Sequence, residues 1–432
     1  MPEPPGLIRV RGWLDRHRWT CAIVAVTLLA GGLRLHALGR VPSNPFYDAA
    51  VRSMLHSWHN FFFGAFEPSG RVSIDKPPID LWAQVISVKL FGFTSVALKL
   101  PQAIAGTLTV PLLYDLARRA FGRYAGLTSA IAYAVLPLAV VTARSDTMDS
   151  LMAAIVVLAA WLIVIAAQHE RPRLLFLAAA VMGVAFNVKL FEALVALPAI
   201  VVLYYLATRA AIPHRARRLA IAAAIFVVTA LSWVTLASLG PSNSAPFPIG
   251  STDGTVFNVV FVYDGIDRLK GKPQPLKANR RRARGRRGNS VSRRLEVDHP
   301  GLTRLFVNSG AGYGRPLGSE LLPALLFGGV AVILAIIETL RWHVRRYRLS
   351  SAAAIAIAVW LLTGFVLFSS SGALHARYLE AFTPAIALAL GAGVASLALR
   401  AARRTAPLLG LLAMLAVSTL YEYDLTSNTP HV

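Results

Sequence analysis

Runs of about twenty mostly apolar, nearly uncharged residues recur along this 432-residue chain, and each is near the length that crosses a bilayer. Only 15% of the residues are charged, where a soluble protein of this size carries roughly a quarter, and the mean hydropathy is +0.56. Backbone polar groups inside a bilayer must be paired within the segment, which leaves helices for runs of this length. The expectation is an all-α polytopic membrane protein with about eleven transmembrane helices. They fall near 20–38, 98–117, 124–142, 147–167, 173–187, 190–207, 218–239, 321–340, 351–371, 378–399 and 405–421.

The net charge of +23 would suit a nucleic-acid partner, but its distribution argues otherwise. With the N-terminus in the cytoplasm, the cytoplasmic connections hold twenty cations, whereas the short external turns hold only Arg144, Lys189 and Arg377. Short loops rich in Lys and Arg stay inside, so the charge reads as topology in a cytoplasmic membrane, with no nucleic acid implied. The first twenty residues are polar and the apolar run after them is full length, so no cleavable signal peptide is expected. The single cysteine, Cys21, allows neither an internal disulfide nor a cysteine-built metal site. No internal repeat and no P-loop signature is present.

The chain therefore divides into a cytoplasmic N-terminus (1–19), a transmembrane core (20–239) that includes a first external loop at 39–97, a second external loop (240–320), and C-terminal helices (321–432). The second loop contains "KANRRRARGRRGNSVSRR" (277–294), with nine cations and no acid. It reads as a solvated insert or as a patch for anionic headgroups or an anionic acceptor.

Chemistry concentrates in the first loop. "PFYDAAVRSMLHSWHNFFF" (45–63) puts Phe46, Tyr47, Ala50, Val51, Met54, Leu55 and Trp58 on one helical stripe, as for a helix lying in the membrane interface. A second short helix is expected from Pro78 through "IDLWAQVISVKLF". Between them, "VSIDKPPIDLW" sets Asp75 beside Lys76, and Pro77 forces Lys76 into extended geometry, so the two prolines stiffen where the pair points. Asp75 is otherwise a helix cap or merely the partner of Lys76.

The run "NPFYDAAVRSMLHSWHNFFFGAFEPSGRVSIDKPPIDLWAQ" (44–84) resembles the opening loop of bacterial membrane glycosyltransferases of the GT-C fold. These are the relatives of protein O-mannosyltransferase and of the aminoarabinose transferase, grouped as glycosyltransferase family 39. The resemblance continues through "TARSDTMDSLM" (142–152), "GVAFNVKLFEALVALPAIVVLYYL" (183–206), "PFPIGSTDGTVFNVVFVYDGIDRL" (246–269) and "HARYLEAFTPAIALALGAG" (375–393). It implies a transferase that moves a sugar from a polyprenyl-phosphate donor to a protein, glycan or lipid acceptor, at a site on the outer side. The rival readings are a lipid-linked sugar transporter or flippase, and a non-catalytic sugar-lipid binding relative.

Such a transfer needs groups for the departing phosphate and a base for the acceptor hydroxyl. The outward cations Lys76, Arg144, Lys189 and Arg377 are the candidates for donor phosphate, against plain snorkelling to water. The family often carries an acid early in the first loop, but Ser43 and Asn44 stand there in this chain. Asp75 and Asp48 remain as candidate catalytic acids, Asp75 favoured for its constrained backbone, with Asp48 open to a pairing with Arg52. In the aminoarabinose transferase branch the matching acid takes part in metal binding, so the resemblance leaves a divalent metal at Asp75 open. Further candidates for the substrate cavity are Asn44, Tyr47, Asp146, Asp149, His375 and Tyr378. Their bland readings are helix capping for Asp146, a helix-dipole partner for Asp149, and interface anchoring for His375 and Tyr378. Asp115 with Arg118 and Arg119 reads as a structural ion pair, and Glu192 as a partner for Lys189.

Overall fold

The computed structural model describes residues 5–239, 245–267, 300–306, 315–342, 348–372, 374–402 and 404–427. The basic insert at 277–294 lies outside them. Among the described residues the regular elements are helices, apart from one two-stranded contact. The helices are α1 (Pro5–Leu35), α2 (Pro45–Met54), α3 (Trp58–Phe63), α4 (Ile79–Phe91), α5 (Ser95–Phe121), α6 (Arg123–Val135), α7 (Pro137–Ala143), α8 (Asp149–Gln168), α9 (Pro172–Lys189), α10 (Leu197–Ala207), α11 (Ile212–Ser238), α12 (Arg315–Trp342), α13 (Arg348–Ser370), α14 (Thr383–Ala401) and α15 (Thr405–Ser427).

Among the described residues eight helices are long and apolar enough to span a membrane, or nine when α6 and α7 count as one span bent by 58°. Proline begins α7, where the helix breaks. One of the eight is the 36-residue run Pro172–Ala207, which is longer than a single pass needs. Its two ends meet: the Glu170 carboxylate accepts from the Thr208 hydroxyl at 2.9 Å and from the Arg209 amide at 2.5 Å. The run therefore folds back on itself, turning at Leu190 with φ 45° and through a 3-10 stretch, Leu190–Ala196. The expectation of eleven spans counts this hairpin as two and the shorter apolar helix Thr405–Tyr421 as one more.

The first loop forms the short helices the sequence suggests, and local chemistry sets their ends. Asn44 caps α2 through the Phe46 amide, with Pro45 next; Ser57 caps α3 through Asn60; Thr94 caps α5 through Ala97. Gly64 ends α3 at φ 64°, where an added Cβ would lie 2.9 Å from Pro78. The α2 stripe corrects one expectation. Tyr47, Ala50, Val51 and Met54 are buried in the protein core, with α4 packed alongside, instead of facing lipid. Trp58 leaves that stripe, is 75% exposed, and begins α3. Exposed apolar surface falls on α4 instead, at Ile86, Leu90 and Phe91.

The two long segments between membrane helices, after α1 and after α11, are joined. Strand β1 (Val72–Ser73) pairs in parallel with β2 (Phe247–Pro248), and Ile249 donates to the Ser73 carbonyl at 3.0 Å. A π-helical turn, Asn258–Asp267, follows and puts the buried Asp264 beside the first loop's Lys76.

Candidate active site

Lys76, Lys189 and Arg377 lie 113 and 188 residues apart in sequence, yet they line one narrow cleft of about 10 Å³, partly open to solvent. Met148, Glu192, Asp264 and Tyr378 complete most of its wall. The Lys76 ammonium donates to the Tyr47 hydroxyl at 3.4 Å and pairs with Asp75 at 3.2 Å. The Lys189 ammonium sits 4.7 Å from the centre of the Tyr378 ring, whose other neighbours are the Arg377 guanidinium and the His375 ring. Lys189 forms a buried ion pair with Asp149, at the first turn of α8, so its partner is Asp149 where the sequence suggests Glu192.

Arg144 is the expected phosphate-binding cation that stands apart. It follows the short, bent α7 and donates to the Leu33 carbonyl of α1 at 2.6 Å. This bond ties the ends of α1 and α7 together.

A second group adjoins the cleft through Tyr47, whose hydroxyl also approaches the Met148 sulfur at 3.9 Å. Asp48 and Asp146 bring their carboxyls together here. Asp146 does not cap α8, since Met148 holds that position; its Oδ2 accepts from the Asn44 amide at 2.6 Å. The buried ammonium of Lys99 faces both acids and is tied to the Val41 carbonyl (2.7 Å) and the Ser43 hydroxyl (3.0 Å). Ser43 and Asn44, the positions where the family often carries an acid, thus hold the base and one acid of this group. Burial, and next the neighbouring Asp146, push the Asp48 carboxyl above the usual carboxylate range. Arg52, the expected partner of Asp48, lies over the Phe93 ring at 4.0 Å.

Beneath the 144–149 turn lies a layer that the sequence reading does not single out. Asp80, 1% exposed on α4, accepts from Gln84 at 2.8 Å and from Gln102 of α5. Gln84 also donates to the Asp146 carbonyl at 3.0 Å, and the Gln102 side-chain oxygen receives the Leu151 amide at 2.8 Å. Asp80 thereby orients two amides that hold the chain on either side of Asp149. Burial pushes its carboxyl up to about 7 from the ordinary 3.8. The folded protein keeps a proton that the unfolded chain releases. This contribution is fully present below about 4 and is lost as pH rises through about 7, a change of up to about 4 kcal/mol. Denaturation of the purified protein at stepped pH should show wild type losing stability across that window and Asp80→Asn losing markedly less. Equal slopes would mean that Asp80 does not hold that proton.

The far side of the site rests on another buried polar set. Tyr133 donates to Glu380 at 2.9 Å, and Arg34 donates to the Tyr133 and Ala134 carbonyls at 3.1 and 3.0 Å. Asp115 makes the expected ion pairs with Arg118 and Arg119 and also receives the Trp161 indole at 2.8 Å.

The donor set does not make a metal centre. No three His, Cys, Asp or Glu side chains converge among the described residues, and Asp75 faces a lysine. The site offers a cationic cleft for an anion and, next to it, a paired acid suited to accept a proton.

Comparison with known proteins bears on the fold and on sequence similarity. Residues 75–233 match the family described as dolichyl-phosphate-mannose-protein mannosyltransferase. A putative mannosyltransferase of Bacillus subtilis (strain 168), YycA, is 33% identical over 260 residues, 60% of this chain and 38% of the relative. A second from the same organism, YkcB, is 37% identical over 229 residues, 53% of this chain and 32% of the relative. The chain thus spans well under half the length of these relatives. The crystal structure of ArnT from Cupriavidus metallidurans bound to undecaprenyl phosphate superposes with a TM-score of 0.59 at 19% identity. The match covers 96% of this chain and 66% of ArnT. The class is therefore a multi-pass membrane protein of the GT-C fold. Within that class, residues 75–233 are similar to the dolichyl-phosphate-mannose-protein mannosyltransferases.

Proposed function

We propose that this chain is a membrane glycosyltransferase that moves a sugar from a polyprenyl-phosphate donor to an acceptor hydroxyl at the outer face of the cytoplasmic membrane. The observation that carries this reading is the convergence of Lys76, Lys189 and Arg377 in one cleft beside the Asp48–Asp146 pair. The outward orientation follows from the crowding of Arg and Lys at the other membrane end. The undecaprenyl phosphate bound by the similar ArnT is a ligand of the expected kind.

In the proposed reaction the bond between sugar C1 and the phosphate oxygen breaks, and a bond from the acceptor oxygen to C1 forms. The acceptor proton passes to Asp48. The leaving group departs as polyprenyl phosphate with one more negative charge than its phosphate had in the donor. Cations fixed on the cleft wall stabilise that added charge most in the transition state. Asp75 serves to keep the Lys76 ammonium in place, and Lys99 offsets one of the two charges of the Asp48–Asp146 pair once both acids are ionised.

The test is transfer of labelled sugar from polyprenyl-phosphate donors by the purified protein in lipid, compared with Asp48→Asn and Asp75→Asn. Asp48→Asn should cost about 10²–10⁴ in rate, as for loss of a general base. Because Asp48 works ionised and its proton is held tightly, activity should fall on acidification along a limb displaced above the ordinary carboxylate range. Asp146→Asn removes the neighbouring charge and should move that limb to lower pH. An equal loss in Asp75→Asn with full activity in Asp48→Asn would transfer the role of base to Asp75. Donor binding without transfer by wild type would favour a sugar-lipid binding protein.

A further inference from the structure

A recess larger than the cleft opens at the opposite membrane end. α5 runs from Lys99 beside the site to Arg119, about 30 Å along the helix, and α8 runs in parallel from Asp149 to Gln168. Where these helices end, a solvent-open recess of about 500 Å³ is lined by Arg119, His169, Arg209 and Arg348, with Ala207 and Leu349 among its apolar walls. The three guanidiniums come from three separate parts of the chain: the end of α5, the α10–α11 connection and the start of α13.

Their surroundings leave positive charge uncompensated. Arg119 is held by Asp115 and donates to Gln168 at 3.0 Å. Arg348 uses Nε on the Leu206 carbonyl at 2.7 Å, and its terminal nitrogens make no hydrogen bond among the described residues. Arg209 gives its backbone amide to Glu170, while its guanidinium has no partner among the described residues. Arg215 and Arg218 stand close by; Arg218 pairs with Glu170 and Arg215 is used on the Ala210 and Tyr205 carbonyls. Six arginines, with Arg118 included, therefore share the two carboxylates Asp115 and Glu170. Planar guanidiniums around a concave space match the oxygens of a phosphate group. The walls are partly apolar, and the helices that flank the α10–α11 connection expose Tyr205 and Ile212, which suits a ligand that also has acyl chains.

We propose that this recess binds the phosphate of an anionic phospholipid headgroup, independently of the donor cleft. The test titrates the purified full-length chain with phosphatidylglycerol or phosphatidylcholine and counts bound lipid by native mass spectrometry. Arg209→Gln, Arg348→Gln and the exposed control Arg217→Gln are compared with wild type. Wild type should prefer phosphatidylglycerol. The first two variants should each weaken that binding about fivefold, the contribution of one arginine near anionic lipid. Arg217→Gln should change it little, and sugar transfer in the cleft should be unaffected by all three. Uniform weakening by all three variants, or by none, would overturn the site and leave only topological charge. Release of the lipid by millimolar inorganic phosphate, with no preference between lipids, would overturn the lipid and assign the recess to a soluble phosphate compound.

Discussion

Lys76→Gln should lower the rate of sugar transfer by about 10²–10³, the usual cost of removing one preorganised group that meets a developing oxyanion. The loss should fall more on kcat than on donor KM, because the phosphate gains its extra charge only as the sugar leaves. Lys76 is suited to this by its backbone and by its neighbours. Pro77 restricts its geometry, and Asp75 and the Tyr47 hydroxyl fix its ammonium on the cleft wall. Its side chain is buried, so an uncharged residue of similar length fills its space but takes away the ammonium that pairs with the Asp75 carboxylate, and some loss of stability accompanies the kinetic loss. Thermal unfolding of the variant in detergent checks that, and steady-state kinetics with varied donor checks the split. A variant within twofold of wild type would remove Lys76 from the phosphate site.

How much of this site could be read from sequence depends on which force places each residue. Lys76, Lys189 and Arg377 are legible as outward-facing cations because hydropathy and charge asymmetry sort residues to one membrane end. Arg144 is sorted to the same end by the same signal, and packing then separates it. α7 bends 58° away from α6, and its following arginine meets Leu33. The break at Pro137 is written in the sequence; the direction of the bend is not. The α2 stripe has a similar limit. Its period gives an amphipathic helix, but the same period serves a helix on lipid and a helix on protein, and here the partner is protein. Asp48 and Asp146 stand 98 residues apart, and only the tertiary fold makes them a pair. Asp80 and Gln84 did leave a trace, two polar residues four apart in an otherwise apolar stretch. That spacing marks a shared helix face, and it becomes informative only once α4 is known to be buried on that side.

Asp149→Asn should be the most damaging single change in the site. Asp149 is fully buried and Lys189 is 5% exposed, so each charge depends on the other. Removing the carboxylate leaves the buried ammonium with only Glu192 nearby to balance it and with Arg377 repelling it, a loss approaching the roughly 3–5 kcal/mol of comparable cases. Lys189→Gln should cost less, because the remaining Asp149 still feels the positive charge of Arg377. The double variant Asp149→Asn with Lys189→Gln replaces the ion pair by two amides that can bond to each other. It should recover at least about 1–2 kcal/mol relative to the sum of the single changes, as residues in direct contact commonly do. Sugar transfer should not recover with it, since the cleft would still lack one of its three cations. Denaturation of the four proteins, read beside their transfer rates, separates the two roles. Additive losses in stability would mean that Asp149 and Lys189 do not act as a pair. Recovered transfer in the double variant would mean that the Lys189 charge serves only to balance Asp149 and takes no part in holding donor phosphate.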